Sequence, residues 1–376
     1  KKLEIFNMLY SKEAGYNEDE LQLCIRRKFL VKDSQRQIMA YVDSIPAHKV
    51  GNLRFRIEYF GESGIDAGGL RNEWISLISQ ELFDPRLGLF RKTENDISVQ
   101  PDPKACLVPG FTSLFRFAGI VVGFSVASKR TVSVNFSRPF LKLITNRELA
   151  VSDLADIDTQ LMNSVNWMLN NPIQDVLDMD YSYESDFFGQ RFNVFLGDAG
   201  EEGLAVTDEN KKDYVKRLIY HKLVKEVEDA VNAFKEGFQY FIKPNILKIF
   251  SAAELDRLIG GEPTIDIEDM KTNAKYDGYS AESEQVIWFW ETLQTFDQES
   301  LSSLWFFVSG LTRPVPGGFK NKPITLQKNH EPDNSLPRAH TCFTSIELPL
   351  YKSKEVLAEK LILAMSHGKE GFGFGQ

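Results

Sequence analysis

At 376 residues the chain is about two and a half times the typical domain length of ~150 residues, which predicts two or more domains and a sizeable core. Its 43% hydrophobic content with 28 Phe and 5 Trp agrees. The net charge of −9 and pI near 5.3 argue against a nucleic-acid surface, which needs clustered Lys and Arg, and suit basic protein partners. Apolar runs such as Phe117–Ser128 and Leu301–Thr312, 12 residues each, fall short of the ~20 needed to span a bilayer, so a soluble chain with no membrane span is expected. The opening Lys1-Lys2 in place of Met, without a signal-peptide pattern, predicts a portion of a longer protein.

In chain order, the first clear element is a strand over Leu53–Tyr59, where apolar and charged residues alternate strictly. The Gly-rich stretch Gly61–Gly69 lacks the ending of a P-loop and carries Glu62 and Asp66, which would repel phosphate; it reads as a turn into a helix at Asn72-Glu73-Trp74. Capping boxes at Thr145…Glu148 and Ser251…Glu254 predict helices starting near 146 and 252. Another opens at Thr207–Asn210 and is expected to run unbroken through Tyr214, Leu218, Leu223 and Val227 into Phe234.

A boundary is expected between Gly260 and Gly278, beyond which Val286, Phe289, Trp290, Leu293 and Phe296 recur at helical spacing and start a new core. A weaker strand spans Thr341–Ile346. The last helix should follow Ser353, carry Val356, Leu357, Leu361 and Ala364, and end at Gly368. The tail Gly371–Gln376 reads as non-helical. No internal repeat is present.

Three cysteines, Cys24, Cys106 and Cys342, show no CxxC or CxxH grouping, which excludes a disulfide framework and a sequence-local zinc site and suits a reducing compartment. Cys24 and Cys106 read as small buried hydrophobes. Cys342 differs, because it lies in the run Leu336-Pro337-Arg338-Ala339-His340-Thr341-Cys342-Phe343 with 376 − 342 = 34 residues after it. That run resembles the active-site motif of the HECT-type ubiquitin ligases. Five further stretches match the family's landmarks in order: Gly64–Trp74, Phe136–Phe140, Ala233–Phe238, Lys275–Tyr279 and Arg313–Phe319. One departure is Ile120, where the family usually has arginine; another is the tail, where Phe372 and Phe374 are fifth and third from the end and either could serve as the family's functional phenylalanine.

The resemblance implies an α+β bilobal fold: a mostly helical N-lobe over 1–270 with a conjugating-enzyme-binding subdomain at about 150–225, a hinge at 271–275, and a smaller α/β C-lobe over 276–376. It implies that Cys342 takes ubiquitin from a ubiquitin-conjugating enzyme as a thioester and passes it to a substrate lysine. Thiolate attack on a thioester exchanges like for like, so loading is nearly balanced in energy. Transfer is harder, since a lysine amine with reference pKa near ~10.4 must lose its proton. His340 would share a face with Cys342 in a strand and is either a polarising group or a loop histidine tying down backbone; Thr341 is either a donor to the acyl oxygen or a β-branched strand former. A carboxylate could assist transfer, and Glu347 and Asp333 are neighbours between which the sequence does not choose.

Carried over by position, Leu161, Ser164, Val165, Met168, Asn171, Tyr214 and Leu218 are the implied contacts for the conjugating enzyme. Between Asp175 and Glu209 ten acids face one base, Arg191, which is either a solvated face or a field that steers a basic partner. Papain-like hydrolysis is disfavoured, because only His367 follows Cys342. The implied partners are ubiquitin, a conjugating enzyme and a protein substrate recruited by upstream regions; neither metal nor cofactor is implied, and the implied address is cytoplasmic or nuclear. The competing reading is a catalytically weak binding module of the same fold.

Overall fold

Strict alternation in Arg54–Tyr59 buries Phe55, Ile57 and Tyr59 and exposes Arg54, Arg56 and Glu58, as a half-buried strand requires. In the computed structural model, which describes residues 20–371 apart from 63–68, 96, 175, 188–189, 202 and 342, this strand (β2) pairs in parallel with Glu20–Ile25 (β1). The crossover between them is helix α1, Leu30–Ser44. Helix α2, Gly69–Leu82, carries Trp74, whose ring packs edge-on against Phe55 and whose Nε1–H donates to Ser34 Oγ at 3.0 Å. The indole is thus buried with its one donor satisfied.

The fold is mixed α+β. By its internal contacts the chain divides into two units, one comprising 83–120 and 135–253, the other comprising the described parts of 7–82, 121–134 and 254–376. In the first unit, strands Phe90–Lys92 (β3) and Val99–Pro101 (β4) form an antiparallel pair. Helix α3, Phe111–Ala127, then α4, Arg138–Ile144, follow. Phe136, Phe140 and Phe234 meet edge-on with centroids 5.1–5.8 Å apart, an aromatic core in the favoured geometry.

Thr145 does not start a helix. Its hydroxyl donates back to the Leu141 carbonyl at 2.8 Å and it closes α4, after which Asn146 turns with φ +52°; with φ −89° and ψ 5°, Thr145 lacks the extended backbone of an N-cap. The box at Ser251 does precede a helix, Ala252–Gly260. The long helix expected from 207 to 234 is two helices, α6 (Lys211–Leu223) and α7 (Glu228–Phe241), separated by Val224 and the 3-10 turn Lys225–Val227, where Val227 leaves helical dihedrals. Two different cores demand the break: Tyr214 and Leu218 enter a small cluster, whereas Phe234 enters the aromatic one.

α3 and α7 cross backbone to backbone. A Cβ at Gly119 would collide with the Phe234 carbonyl, and one at Gly237 with the Arg116 carbonyl. Ile120 sits beside this crossing fully buried, so an aliphatic side chain suits the position where the family's arginine was expected.

In the second unit, α8 is Ala252–Gly260 and α9 is Ile267–Asn273. A four-stranded sheet has the order β7-β8-β10-β9, with β7 (Lys275–Asp277), β8 (Thr325–Lys328) and β10 (Ser345–Leu348) parallel and β9 (Arg338–His340) antiparallel to β10. Helices α10 (Glu284–Leu293), α11 (Gln298–Ser309) and α12 (Lys354–Gly371) share its core, which includes Phe289, Trp290, Trp305, Leu326, Ile346, Leu357 and Leu361. Gly368 lies inside α12, which continues to Gly371.

Residues 271–275 are the last turn of α9, Ala274 and the first residue of β7, and Ile265 and Met270 are buried in the same core as Leu361. The core therefore begins before the expected hinge. Upstream of it, Gly261 (φ +93°) and Glu262 are held by Arg313 and Pro314: Glu262 N donates to Pro314 O at 2.8 Å, and Arg313 reaches Asp256 at 3.0 Å.

Alanine in place of glycine normally strengthens a helix by about 0.5–1 kcal/mol. At Gly119 or Gly237 the sign should reverse, with a loss of about 1–3 kcal/mol or more from forced separation of the two helices. Thermal unfolding of Gly237→Ala checks this; a raised melting temperature would contradict the crossing.

Candidate active site

The segment around the cysteine is a hairpin and not one strand. β9 ends at His340, Thr341, Phe343 and Thr344 are in turn conformation, and β10 starts at Ser345. Phe343 N donates to His340 O at 3.0 Å, and Thr344 turns with φ +52°. The expected strand over 341–346 is confined to its last two residues, where β10 begins, because left-handed backbone at Thr344 breaks the period-two alternation. Cys342 itself, like Phe372 and Phe374, lies outside the described residues. Its neighbour Phe343 is 80% exposed, and Thr341 is half-buried.

His340 is fixed from one side. Its Nε2 lies 2.9 Å from Glu347 Oε1, while Asn329 Nδ2 donates to Glu347 Oε2 at 3.1 Å. Arg338, directly across the ladder from Glu347, is instead paired with Glu331 at 2.8 Å. Asp333, the other neighbouring carboxylate, is engaged by Lys352 at 2.7 Å, which holds its carboxyl below the usual range.

The second cluster of predicted residues lies on two helices of the first unit. α5, Thr159–Asn170, begins at Asp158, whose carboxylate accepts from Leu161 N at 2.7 Å. Val165 and Met168 on α5 and Tyr214 and Leu218 on α6 are all buried, in a small core with Ile173, Tyr181 and Leu223. Of the seven expected contacts these four face inward; Leu161 and Asn171 are half-buried and Ser164 is exposed. The pattern is that of an amphipathic stripe, whose apolar face is occupied by the protein's own core. The structure thus corrects the expectation that all seven side chains are presented to a partner.

Tyr214 shows how tightly this core is built. Its ring stacks edge-on with Tyr181 at 5.7 Å, its hydroxyl donates to the Ser182 carbonyl at 3.0 Å, and burial pushes its pKa up to about 12. Lys211 Nζ donates to Asn171 O and Asp208 Oδ1, both at 2.7 Å, and Asp208 also accepts from Ile173 N at 3.1 Å. The ammonium of Lys211 holds the Asp208 carboxyl below its ordinary range. Strands Ser182–Phe187 (β5) and Gln190–Phe195 (β6) form the adjoining hairpin. Tyr183 in β5 donates to Glu226 at 2.7 Å, and its pKa is raised by burial and that carboxylate.

The acidic run is partly neutralised from α6. Arg217 reaches Asp213, Glu201 and Asp198 at 2.8, 2.9 and 3.3 Å. Sequence order hid this, since Arg217 and Lys211 lie just beyond the counted window. Exposed apolar side chains on the same small subdomain were also missed: Trp167 (45% exposed), Val176, Phe192, Phe195, Leu204 and Tyr220. Of these, Trp167 stands within the α5 stretch that the resemblance singled out, and only burial separates it from its inward-facing neighbours.

A mixed α+β chain that carries the Leu336–Phe343 motif, with the histidine of that motif held by a carboxylate, fits a domain of the HECT type. The chain belongs to the HECT-domain (ubiquitin-transferase) family, which residues 76–375 match. It is 33% identical over 383 residues to the E3 ubiquitin-protein ligase ptr1 of Schizosaccharomyces pombe, covering 99% of this chain and 12% of that protein. It is 31% identical over 386 residues to the E3 ubiquitin-protein ligase TOM1 of Saccharomyces cerevisiae, covering 99% and 12%. To the E3 ubiquitin-protein ligase RSP5 of Emericella nidulans it is 34% identical over 360 residues, covering 94% and 43%. The chain thus spans about an eighth of the length of the first two relatives and less than half of the third.

Tyr214→Ala should destabilise the small subdomain by about 3–5 kcal/mol, as for other buried aromatic truncations. Tyr214→Phe loses one hydrogen bond and should cost about 1 kcal/mol. Hydrogen exchange across α5 and α6 measures both; equal protection in the two variants would contradict this packing.

Proposed function

We propose that this domain accepts ubiquitin from a ubiquitin-conjugating enzyme as a thioester on Cys342 and transfers it to a lysine of a substrate protein. The observation that carries the reading is the Leu336–Phe343 motif in a chain of the HECT family, whose Phe343, next to the cysteine, is exposed. A thiol with reference pKa near ~8.5 is several per cent thiolate at neutral pH, so loading needs no dedicated base. His340 and Thr341 are proposed to act in transfer. Phe372 and Phe374 are proposed as alternative tail contacts.

Docking of the conjugating enzyme is proposed on the small subdomain at 150–225. Leu161, Ser164 and Asn171 retain surface there, and the exposed Trp167 and Phe192 add apolar area of the kind that anchors interfaces. The buried Val165, Met168, Tyr214 and Leu218 act by shaping that surface. Substrates are proposed to be recruited by regions outside this chain, in the cytoplasm or nucleus. No helix among the described residues is long and apolar enough to cross a membrane.

The bilobal organisation belongs to the same proposal: an N-lobe over 1–270, a joint at 271–275 and a C-lobe over 276–376. The shared burial of Ile265 and Met270 favours flexing just before α9 over flexing within it. The bonds of Arg313 to Asp256 and Gly261 would then have to open during the swing.

Incubation with activating enzyme, conjugating enzyme, ATP and ubiquitin should give a reductant-sensitive adduct, absent in Cys342→Ala and reductant-resistant in Cys342→Ser. Absence of any adduct across a broad panel of conjugating enzymes would overturn the reading in favour of a catalytically weak binding module. Trp167→Ala should slow loading severalfold while thermal unfolding is unchanged; unaffected loading would put the docking surface elsewhere.

A further inference from the structure

Three hydrogen bonds in series decide which nitrogen of His340 carries a proton. Glu331 N donates to Asn329 Oδ1 at 2.9 Å. A backbone N–H can only donate, so Asn329 must direct its amide Nδ2 the other way, where it meets Glu347 Oε2 at 3.1 Å. The remaining oxygen, Oε1, faces His340 Nε2 at 2.9 Å, and an ionised carboxylate only accepts. Nε2 therefore holds the hydrogen, and Nδ1 is the basic nitrogen of the neutral ring.

Each member is held by the sheet. Asn329 N donates to Leu348 O at 3.0 Å at the end of the β8–β10 ladder, and Glu347 lies between the buried Ile346 and Leu348 on β10. The other charged groups nearby are occupied: Arg338 pairs with Glu331 and Lys352 with Asp333. Glu347 is thus the carboxylate engaged with His340, and Asp333 is not.

We propose that Glu347 and Asn329 are positioning residues for ubiquitin transfer, fixing His340 as the Nε2–H tautomer so that Nδ1 takes the proton released by the attacking lysine. The proposal rests on the thioester reading above. A substrate amine that has already lost one proton to solvent adds to the thioester carbonyl and forms the C–N bond. The now cationic nitrogen gives a proton to Nδ1, and the C–S bond breaks with its electron pair returning to the Cys342 sulfur. The imidazolium then passes its proton to water. Loading exchanges one thioester for another and makes no such demand on the ring.

Glu347→Gln tests the chain of constraints. Asn329 forces the new amide to offer it the carbonyl oxygen, which turns the NH2 toward His340. Nε2 must then accept, and the hydrogen moves to Nδ1. An orienting acid changed to its amide disables a histidine base by this tautomer switch in serine proteases. Nitrogen NMR of the imidazoles, assigned with His340→Gln, should report Nε2–H in the wild type and Nδ1–H in Glu347→Gln. Single-turnover discharge of the preloaded adduct to free lysine should fall about ten- to a hundredfold, with a much smaller change in loading.

In Asn329→Ala/Glu347→Gln the amide is free to turn its oxygen to His340, so the double variant should regain part of the lost rate and the Nε2–H signature. An unchanged tautomer in Glu347→Gln, a slowed discharge without a tautomer change, or an additive double variant would each overturn the proposal. If the wild type forms no adduct at all, the thioester reading itself fails, whatever the NMR result.

Discussion

Strand β10 is the constraint on which the reactive end of this domain depends. It is hydrogen-bonded on both sides, to β8 in parallel and to β9 antiparallel, so its register cannot slip without disturbing two ladders. A shift of one residue would bring Glu347 into the core and expel Ile346 and Leu348. With the register fixed, the pleat buries those two side chains and turns Glu347 to the opposite face, where His340 from β9 meets it. The pairing of His340 with Glu347 is thus located by the burial of two aliphatic residues.

The small subdomain shows a different economy of residues. One stripe of each of α5 and α6 builds a core, and polar clamps close its edges: Lys211 with Asp208 and the Asn171 carbonyl, Arg217 with three carboxylates, Tyr183 with Glu226. Exposed ion pairs of this kind contribute little each. Their effect here is to hold the ends of helices and loops that the core does not reach. The exposed surface of α5 is consequently set by side chains such as Trp167 and Ser164 that flank the buried Val165 and Met168.

The sequence carried the local elements whose pattern has one physical meaning. Strict alternation at 54–59, the cap at Ser251 and the apolar spacing from Val286 to Leu293 each led to the element observed. It misled where one residue type can serve two ends. Thr145 has the hydroxyl that an N-cap needs, but its backbone closes α4 and the left-handed Asn146 follows. The run 207–234 keeps helical periodicity across Val224–Val227, and nothing in periodicity records that its two halves belong to different cores. Gly368 has the character of a helix stop, yet lies within α12.

By itself, then, the sequence determined the family, through the Leu336–Phe343 motif and five further landmarks in order, because chemistry that needs a thiol in one setting leaves a fixed string of residues. Through that resemblance it also implied the mixed α+β character. The tertiary structure alone decided which carboxylate reaches His340, which of the expected contact residues are buried, and where α3 and α7 touch through Gly119 and Gly237. These are facts of proximity between segments far apart or of opposite faces on one helix, and residue order does not encode them in any form that a reader of spacing and composition can extract.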